Sequence, residues 1–421
     1  MKVLVVGSGG REHAIVHALS RSPRVSRLYA APGNAGTLDL AEPVSVSPDD
    51  LESLARFASQ NGIELTVVGP EGPLSMGIVD LFRAQDMAII GPTRANARLE
   101  SSKSFTKRLC AGHRIPTAGW VACDSAEQAY RALEGSGFPA VVKADGLAAG
   151  KGVVVADTPE AARQAVRDFM EASTLGPAGS RVVIEEFMQG EEASYHVFAD
   201  GRDFQPMVVS QDHKRRFAGD RGPNTGGMGA YSVDSVLGPR DRKAVVERII
   251  LPTLSALGDY AGILYAGLML TAEGPKLVEY NVRFGDPETQ VILPRLETDL
   301  ADVFLAMVGH RLGELEVRWR PGASATVVLV ADGYPGKVGT GREIRGLDEA
   351  RRIPGVTVYH AGTRMESGRV YTAGGRIVNV TAVGPTLGEA LEKAYAVAEM
   401  IDFEGKDFRR DIGQKGLAKA R

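Results

Sequence analysis

Residues 141–153 read Val-Val-Lys-Ala-Asp-Gly-Leu-Ala-Ala-Gly-Lys-Gly-Val, a glycine-rich loop between two apolar segments. We predict strands over 140–144 and 152–156, because both segments are short, apolar and rich in β-branched residues. The loop is not a Walker phosphate loop, which needs glycine where Asp145 stands and serine or threonine where Gly152 stands. Strands on both sides indicate a hairpin flap rather than a strand-to-helix turn.

The lysines of this hairpin suit a flap that covers a triphosphate. Main-chain N–H groups of such a loop contact phosphate oxygens, and Lys143 and Lys151 would offset their charge. The alternative is an ordinary exposed hairpin with solvated lysines. Lys143 argues against that alternative, because it lies within an apolar strand, where an unpaired ammonium group is costly.

The first hundred residues alternate short apolar strands with helical stretches, which predicts a doubly wound parallel sheet. We place the strands at 2–6, 25–30, 65–68 and 87–90. Ligands of such sheets bind beyond the carboxyl ends of the strands, and glycine follows each of these four ends. We therefore expect a floor of glycine turns where main chain approaches a ligand.

The first turn, Gly-Ser-Gly-Gly-Arg-Glu at 7–12, departs from a dinucleotide fingerprint. Glu12 stands where the third glycine belongs, and no acidic residue ends the second strand near position 30. Both features speak against a nicotinamide or flavin enzyme. An anion at the helix N-terminus, assisted by Arg11, and a plain tight turn are equally good interpretations of this motif alone.

A predicted strand near residue 280 carries polar side chains at alternate positions. Glu279, Asn281 and Arg283 would share one face of it. A carboxylate and an amide oxygen suit Mg²⁺ that is held partly by nucleotide phosphates, and Arg283 could contact a transferring phosphoryl group. The alternative, a solvent-facing strand edge, accounts poorly for the tight turn Phe-Gly-Asp-Pro at 284–287.

Two further stretches are rich in charge. Residues 184–194, Ile-Glu-Glu-Phe-Met-Gln-Gly-Glu-Glu-Ala-Ser, could form a hinge that meets a base and a ribose, but alone they favour a solvated acidic loop. Residues 211–216, Gln-Asp-His-Lys-Arg-Arg, precede a glycine loop at 222–230. Together these indicate a site for a phosphate-bearing substrate, whereas a lone charge run would be a solvated loop.

Composition excludes several other classes of protein. Hydrophobic residues make up 44% and charged residues 24% of the 421, and the formal net charge is -3. Disorder as the main state is therefore excluded, and a dedicated nucleic-acid or anionic-membrane binder is disfavoured. We see no signal peptide, no apolar window long enough to span a membrane, no disulfide framework in two cysteines and no metal-ligand spacing among seven histidines. These features predict a cytoplasmic protein.

Taken together, the motifs resemble those of the ATP-grasp ligases and, more narrowly, those of the glycinamide ribonucleotide synthetases of purine biosynthesis. The resemblance runs end to end. It rests on long strings at 143–152, at 222–231 (Gly-Pro-Asn-Thr-Gly-Gly-Met-Gly-Ala-Tyr) and at 283–290 (Arg-Phe-Gly-Asp-Pro-Glu-Thr-Gln). Shorter strings at 9–13, 32–36, 69–71 and 211–215 add to it.

The resemblance implies an α/β fold that is α+β in its ATP-grasp part. It implies an N-terminal Rossmann-like domain with a doubly wound parallel sheet over 1–103 and an ATP-grasp central domain over 104–120 and 190–323. A flap subdomain would cover 121–189, and a small C-terminal α/β domain would cover 324–421.

The implied reaction joins glycine to 5-phosphoribosylamine through glycyl phosphate, with ATP converted to ADP and phosphate. Mg²⁺ or Mn²⁺ would assist, and the protein would act as a monomer on small molecules, without nucleic acid or membrane. Catalysis would fall to Lys143, Lys151, Asp212 and Arg283, and the metal to Glu279 and Asn281. Many relatives carry another acidic ligand on the preceding strand, where this chain has Leu268 and Leu270.

The implied binding residues form two sets. Those for ATP are Lys103, Lys143, Gly146, Gly150, Lys151, Gly152, Glu185, Glu186, Phe187 and Glu192. Those for the other substrates are Gly9, Gly10, Arg11, Glu12, Asn34, Glu71, Asp212, His213, Lys214, Gly226, Gly227, Met228 and Gly229.

Three alternatives stay open at this point. Another ATP-grasp carboxylate–amine ligase or a purine-pathway carboxylase would share the flap and the metal strand but not the strings at 211–215 and 226–229. Glu12 argues against a Rossmann dehydrogenase, because it stands where the dinucleotide fingerprint has its third glycine. A non-catalytic nucleotide-binding regulator is opposed by the retention of Lys143, Lys151, Glu279 and Asn281.

Overall fold

The computed structural model describes residues 1–148 and 150–419, so Ala149 of the flap and the last two residues lie outside it. Its N-terminal part contains the expected parallel sheet, with strand order β3-β2-β1-β4-β5. The strands are β1 (Lys2–Gly7), β2 (Arg27–Pro32), β3 (Glu42–Pro43), β4 (Leu65–Val68) and β5 (Ile89–Ile90). The helices are α1 (Gly10–Leu19), α2 (Leu51–Asn61), α3 (Glu71–Met76), α4 (Ile78–Arg83) and α5 (Arg94–Ser101).

The central strand of this sheet is fully buried from Val3 to Val6, as a parallel strand covered on both faces must be. The fold class is confirmed as α/β. Two of the predicted strands differ in detail: the one placed at 25–30 runs from Arg27 to Pro32, and the one placed at 87–90 is only Ile89–Ile90.

The hairpin flap is part of a four-stranded sheet with order β6-β9-β7-β8. Lys143 is opposite Val153 in the antiparallel pair β7–β8, which confirms the predicted hairpin. Ser125 and Thr158 cap the two helices that pack on this sheet, each through its hydroxyl oxygen. The strands are β6 (Trp120–Cys123), β7 (Ala140–Ala144), β8 (Val153–Ala156) and β9 (Val182–Glu186), and the helices are α6 (Lys103–His113), α7 (Ala126–Glu134) and α8 (Pro159–Val166).

The next part is built on long antiparallel strands, with sheet order β11-β10-β16-β17. Its strands are β10 (Glu191–Asp200), β11 (Phe204–Pro206), β12 (Gln211–Asp212), β13 (Arg215–Phe217), β14 (Arg221–Asn224), β15 (Gly229–Ser232), β16 (Ala261–Thr271) and β17 (Gly274–Asn281). Its helices are α9 (Pro239–Val245), α10 (Leu251–Leu257), α11 (Thr289–Ile292) and α12 (Leu300–Val308).

The C-terminal part shares a sheet with the preceding one. Its strands are β18 (Ala323–Val330), β19 (Val356–His360), β20 (Thr363–Glu366), β21 (Arg369–Thr372) and β22 (Arg376–Gly384), and its helices are α13 (Leu347–Arg351), α14 (Leu387–Met400) and α15 (Gln414–Lys419). The order β12-β15-β18-β22-β19 carries one sheet across the boundary that we predict between 323 and 324. The loop between β12 and β15 is therefore joined to the C-terminal part. Within the described ranges, no helix has both the length and the apolar character needed to cross a bilayer.

Candidate active site

One face of the β10–β16–β17 sheet gathers the polar residues that the alternation predicts. Tyr265 on β16 is the register partner of Asn281 on β17 and of His196 on β10. Gly267, two residues further along β16, is opposite Glu279. Directly opposed residues of antiparallel strands project to the same face, so Glu279 and Asn281 share one surface, as expected.

Lys143 has a buried counterion. Its Nζ lies 3.0 Å from Glu185 Oε2 on β9, and both side chains are at most 6% exposed. Lys107 on α6 reaches the same oxygen, also at 3.0 Å, and donates a hydrogen bond of 2.7 Å to Thr117 Oγ1. One carboxylate thus holds two ammonium groups beneath the flap. Lys107 is not among the predicted site residues, although its spacing of four from Lys103 puts both lysines on one helix face.

Asp145 fastens the start of the flap loop to the N-terminus of α6. Its Oδ1 accepts a hydrogen bond of 2.6 Å from Ser104 N, and its carbonyl oxygen accepts one of 3.1 Å from Lys103 N. Lys103 thereby begins a helix that points at the flap. Burial lowers the pKa of Lys103, with the negative charge of Glu279 opposing the shift.

The remaining predicted flap residues differ in exposure. Gly150, which adopts a φ of 78°, and Lys151 are exposed, while Gly146 N donates a 3.1 Å hydrogen bond to the carbonyl of Ala178. Gly152 is buried and accepts a 2.8 Å bond from Ala144 N. At the end of β9, Glu186 is exposed and Phe187 is 44% exposed.

Arg283 lies among carboxylates. Its Nη2 is 2.7 Å from Glu100 Oε1 and its Nε is 3.2 Å from Glu71 Oε2. The guanidinium lowers the pKa of Glu71 to about 2, whereas burial raises the pKa of Glu100. Nη2 also donates a 3.0 Å hydrogen bond to Asn281 Oδ1. The predicted phosphoryl-contacting arginine is therefore held rigidly beside a predicted metal ligand.

A second charged group surrounds Lys214. Its Nζ is 2.8 Å from Glu192 Oε2 and 4.0 Å from Glu279 Oε1. Asp212 lies near all three. Burial first, and then the charges of Glu288, Glu192 and Glu279, raise the pKa of Asp212 to about 8, with Lys214 opposing the shift. A carboxyl group with a raised pKa beside a lysine suits proton transfer or recognition of an amine.

Glu288 and Tyr265 form a buried polar pair under this group. Tyr265 OH donates a 2.7 Å hydrogen bond to Glu288 Oε1, and Ser194 Oγ lies 2.9 Å from the same hydroxyl. His196 stacks on Tyr265 with ring centroids 4.1 Å apart. Burial lowers the pKa of His196 to about 3, so this ring is neutral. Neither Glu288 nor Tyr265 is in the predicted site, although Glu288 lies inside the string at 283–290.

The N-terminal floor is built from internally bonded side chains. Glu12 is buried, accepts a 2.6 Å hydrogen bond from Gly9 N and pairs with Arg11. Asn34 donates 2.8 Å bonds to the carbonyl oxygens of Ser8 and His360 and accepts one from Gly36 N. Gly10 and Arg11 follow β1 and Glu71 follows β4, so they lie at the same edge of the sheet, because these neighbouring strands are parallel. Substrate contact by Glu12 and Asn34 stays a prediction, since their side chains already have protein partners.

Two residues predicted to bind substrate turn their side chains into the core. Met228 is fully buried against Val328 and Val330. His213 is buried, and its Nε2 accepts a 3.3 Å hydrogen bond from Gly413 N. Their main chain keeps the loop in shape, because His213 N donates to Gly229 O at 2.9 Å.

The sequence matches one family along three consecutive ranges. These are the phosphoribosylglycinamide synthetase N domain over 1–100, its ATP-grasp (A) domain over 101–289 and its C domain over 324–415. The chain belongs to the phosphoribosylglycinamide synthetase family. Its relatives include the phosphoribosylamine–glycine ligase of Vibrio parahaemolyticus, 47% identical over 100% of this chain and 99% of that protein, and that of Pseudomonas aeruginosa, 48% identical with the same coverage.

A solved structure supports the same family assignment. The crystal structure of phosphoribosylamine–glycine ligase from Thermotoga maritima superposes with a TM-score of 0.85 at 34% identity. It covers 98% of this chain and 100% of that one. As a member of the phosphoribosylglycinamide synthetase family, the chain is an ATP-grasp enzyme of the ligase class.

Proposed function

We propose that this protein joins glycine to 5-phosphoribosylamine, forming glycinamide ribonucleotide while ATP becomes ADP and phosphate. The observation that carries the proposal is that Lys103, Lys143 and Lys214 surround Glu279 on the central sheet, with Asp212 close by. Two lysines that could bind a triphosphate, Lys103 and Lys143, thus lie near Asp212 and Lys214, which could bind the other substrates. Full-length similarity to proteins named phosphoribosylamine–glycine ligase supports the choice of substrates.

ATP would lie between the flap and the central sheet. Lys103, Lys143 and Lys151 would contact its phosphates, together with the main chain of Gly146, Gly150 and Gly152. The main chain near Glu186 and Phe187 would meet adenine, and Glu192 the ribose. Glu185 would act through Lys143 and Lys107, because its buried carboxylate fixes both ammonium groups. Partial exposure of Phe187 and Glu192 leaves both accessible to a nucleotide.

The proposed metal ion is Mg²⁺ or Mn²⁺ on Glu279 and Asn281. No group of three or more His, Cys, Asp or Glu side chains within 1–148 and 150–419 is arranged to hold a metal. Leu268 is buried opposite Leu277, so the preceding strand adds no carboxylate there. Two oxygen ligands still fit an ion that takes its other ligands from phosphates and water. Such an ion would neutralise charge on the transferring phosphoryl group.

In the proposed first step, glycine's carboxylate attacks the γ-phosphorus of ATP and yields glycyl phosphate and ADP. Lys143, Lys151 and Arg283 would stabilise the charge on the phosphoryl oxygens, which is the main contribution a protein makes to this chemistry. A closed flap would exclude water, to which an acyl phosphate is vulnerable. Glu71 and Glu100 would keep Arg283 in place.

In the second step, the amine of 5-phosphoribosylamine attacks the acyl carbon and phosphate leaves. The attacking nitrogen must lose a proton, and the proposed acceptor is the ionised carboxylate of Asp212, beside Lys214, whose raised pKa makes it a stronger base. The sugar and its phosphate would lie over Gly9, Gly10 and Arg11 and against Gly226, Gly227 and Gly229.

We further propose that the protein is a cytoplasmic monomer with the domain division given in the sequence analysis. Light scattering tests the monomeric state, and limited proteolysis tests the domain division.

The proposal is tested by product analysis with single omissions. ATP, glycine and phosphoribosylamine generated in situ should together give ADP, phosphate and glycinamide ribonucleotide, and omission of any one should abolish turnover. AMP and pyrophosphate as products, or turnover without glycine, would contradict the proposal. Bicarbonate in place of glycine tests the carboxylase alternative.

A further inference from the structure

One arginine of the C-terminal part binds the glycine loop at 226–229. Arg376 Nη1 donates hydrogen bonds to the carbonyl oxygens of Gly226 at 2.6 Å and Asp286 at 2.8 Å. Its Nη2 lies 3.2 Å from Asp286 Oδ2, and its side chain is 20% exposed. One guanidinium therefore connects this loop to the turn at 284–287.

Tyr334 holds the same loop from a second direction. Its hydroxyl accepts a 2.9 Å hydrogen bond from Gly226 N, so both main-chain groups of Gly226 are bound by C-terminal side chains. Gly227 then adopts a φ of 113°, and a side chain there would overlap the ring of Pro287. The loop conformation thus depends on close contact with the turn that Arg376 fixes.

The hairpin that leads into the loop is anchored in the same way. Arg409 Nη1 is 3.0 Å from Asp220 Oδ1, and Arg216 Nη2 is 2.7 Å from Asp407 Oδ2. Gly219 N donates a 2.8 Å hydrogen bond to Asp411 Oδ2. The C-terminal segment therefore supports the whole stretch from β13 to the glycine loop.

Asp286 is the point where this support meets the N-terminal floor. Its Oδ2 accepts a long hydrogen bond of 3.5 Å from Arg11 N at the start of α1, and its Oδ1 accepts one of 2.7 Å from Gln290 Nε2. Arg376 and Arg11 lower the pKa of Asp286, although burial opposes the shift. The glycine loop and the floor are consequently set relative to each other through one carboxylate.

We propose that Arg376 is a positioning residue for the phosphorylated sugar amine: by holding Gly226 and Asp286 it sets the glycine loop against the N-terminal floor. The inference rests on the proposed function, because it assigns this junction to 5-phosphoribosylamine. It also gives the C-terminal part a role in recognising one substrate and not the other two.

The test is a comparison of KM values for all three substrates. Arg376→Ala should raise the KM for 5-phosphoribosylamine about tenfold or more, the effect of losing one to two hydrogen bonds, while the KM values for ATP and glycine stay within about twofold. Arg376→Lys should recover part of the loss, because lysine keeps the positive charge but cannot reproduce both hydrogen bonds to the carbonyl oxygens of Gly226 and Asp286. Tyr334→Phe, which removes one hydroxyl, should also raise the KM for 5-phosphoribosylamine. It replaces Arg376→Ala as the test variant if Arg376→Ala does not fold.

Arg364→Ala is the matched control, an exposed arginine of the same part of the chain that pairs with Glu366. It should leave all three KM values unchanged. Equal rises for the three substrates, or no rise for 5-phosphoribosylamine in a folded Arg376 or Tyr334 variant, would overturn the inference. Failure of the unsubstituted protein to form glycinamide ribonucleotide would instead overturn the proposed function.

Discussion

Glu185 holds Lys143 in an almost fully buried ion pair, with Oε2 3.0 Å from Nζ. The same oxygen holds Lys107, so the site directs two cations toward the flap with a single carboxylate beneath them. Removing that carboxylate would leave two buried charges without a counterion.

We therefore expect Glu185→Gln to destabilise the fold by about 3–5 kcal/mol, the cost of breaking a buried ion pair by removing one partner. The midpoint of urea denaturation measures this effect. Glu127→Gln is the control, because Glu127 forms an exposed pair with Arg131 and should leave the midpoint unchanged. Equal midpoints for the two variants would show that Glu185 is not the counterion.

Lys143→Ala should instead spare the fold and remove activity. Lys107 still neutralises Glu185 in this variant, while the proposed phosphate contact is lost. We expect kcat/KM for ATP to fall on the order of 10²–10³-fold, as for other removed transition-state donors. Lys243→Ala, in an exposed pair on α9, should have no effect. Activity within a few-fold of the unsubstituted protein would rule out the assigned role.

The metal assignment predicts a changed Mg²⁺ requirement in Glu279→Gln. The Mg²⁺ concentration that gives half-maximal activity should rise on the order of tenfold or more. Even the loss of a residue that only hydrogen-bonds to a metal ligand weakens metal binding by that factor. Glu273→Gln is matched to it, on the same hairpin but paired with Lys276 at the surface. An unchanged Mg²⁺ and Mn²⁺ dependence in Glu279→Gln would show that this carboxylate is not a ligand.

Acid should weaken the junction between α1 and β19. His360 N donates a 2.8 Å hydrogen bond to His13 Nδ1, and His360 Nε2 lies 3.0 Å from Arg351 Nη2, so both rings are neutral. Burial lowers the pKa of His360 to about 3 and that of His13 well below its usual value. A lowered folded-state pKa means that stability is complete above about pH 6.5 and is lost as the pH falls toward 3.

His360→Gln should therefore flatten the pH dependence of unfolding by about one proton, or about 1.4 kcal/mol per pH unit between pH 6 and 4. Urea midpoints at pH 8, 6, 5 and 4 measure the slope. His113→Gln replaces an exposed histidine and should keep the slope of the unsubstituted protein. Parallel slopes for all three proteins would contradict the burial argument.

Local patterns were enough to predict most of the architecture. The hairpin at 140–156 and the face shared by Glu279 and Asn281 depend on neighbouring residues, and both are confirmed. The turn at 7–12 was ambiguous because a tight turn and an anion site look alike in sequence. The structure shows that Glu12 accepts the hydrogen bond from Gly9 N itself.

Long-range pairing is what the patterns could not supply. Glu185 lies 42 residues from Lys143, and Arg376 lies 150 residues from Gly226, so neither partner could be assigned from local spacing. The shared sheet formed by β15 and β18 was missed for the same reason, since its strands lie about 90 residues apart in sequence. His213 lies in the charged run at 211–216 and Met228 in the glycine loop at 222–230. Both stretches predict a binding site, but sequence does not reveal which of their side chains turn inward.

The central claim is that glycine's carboxylate is phosphorylated by ATP. It is tested most directly with glycine labelled with ¹⁸O in both carboxylate oxygens, followed by mass spectrometry of the products. We predict one ¹⁸O in the released phosphate and one in the amide carbonyl of glycinamide ribonucleotide. Phosphate without ¹⁸O, with the second label released as water, would contradict the account.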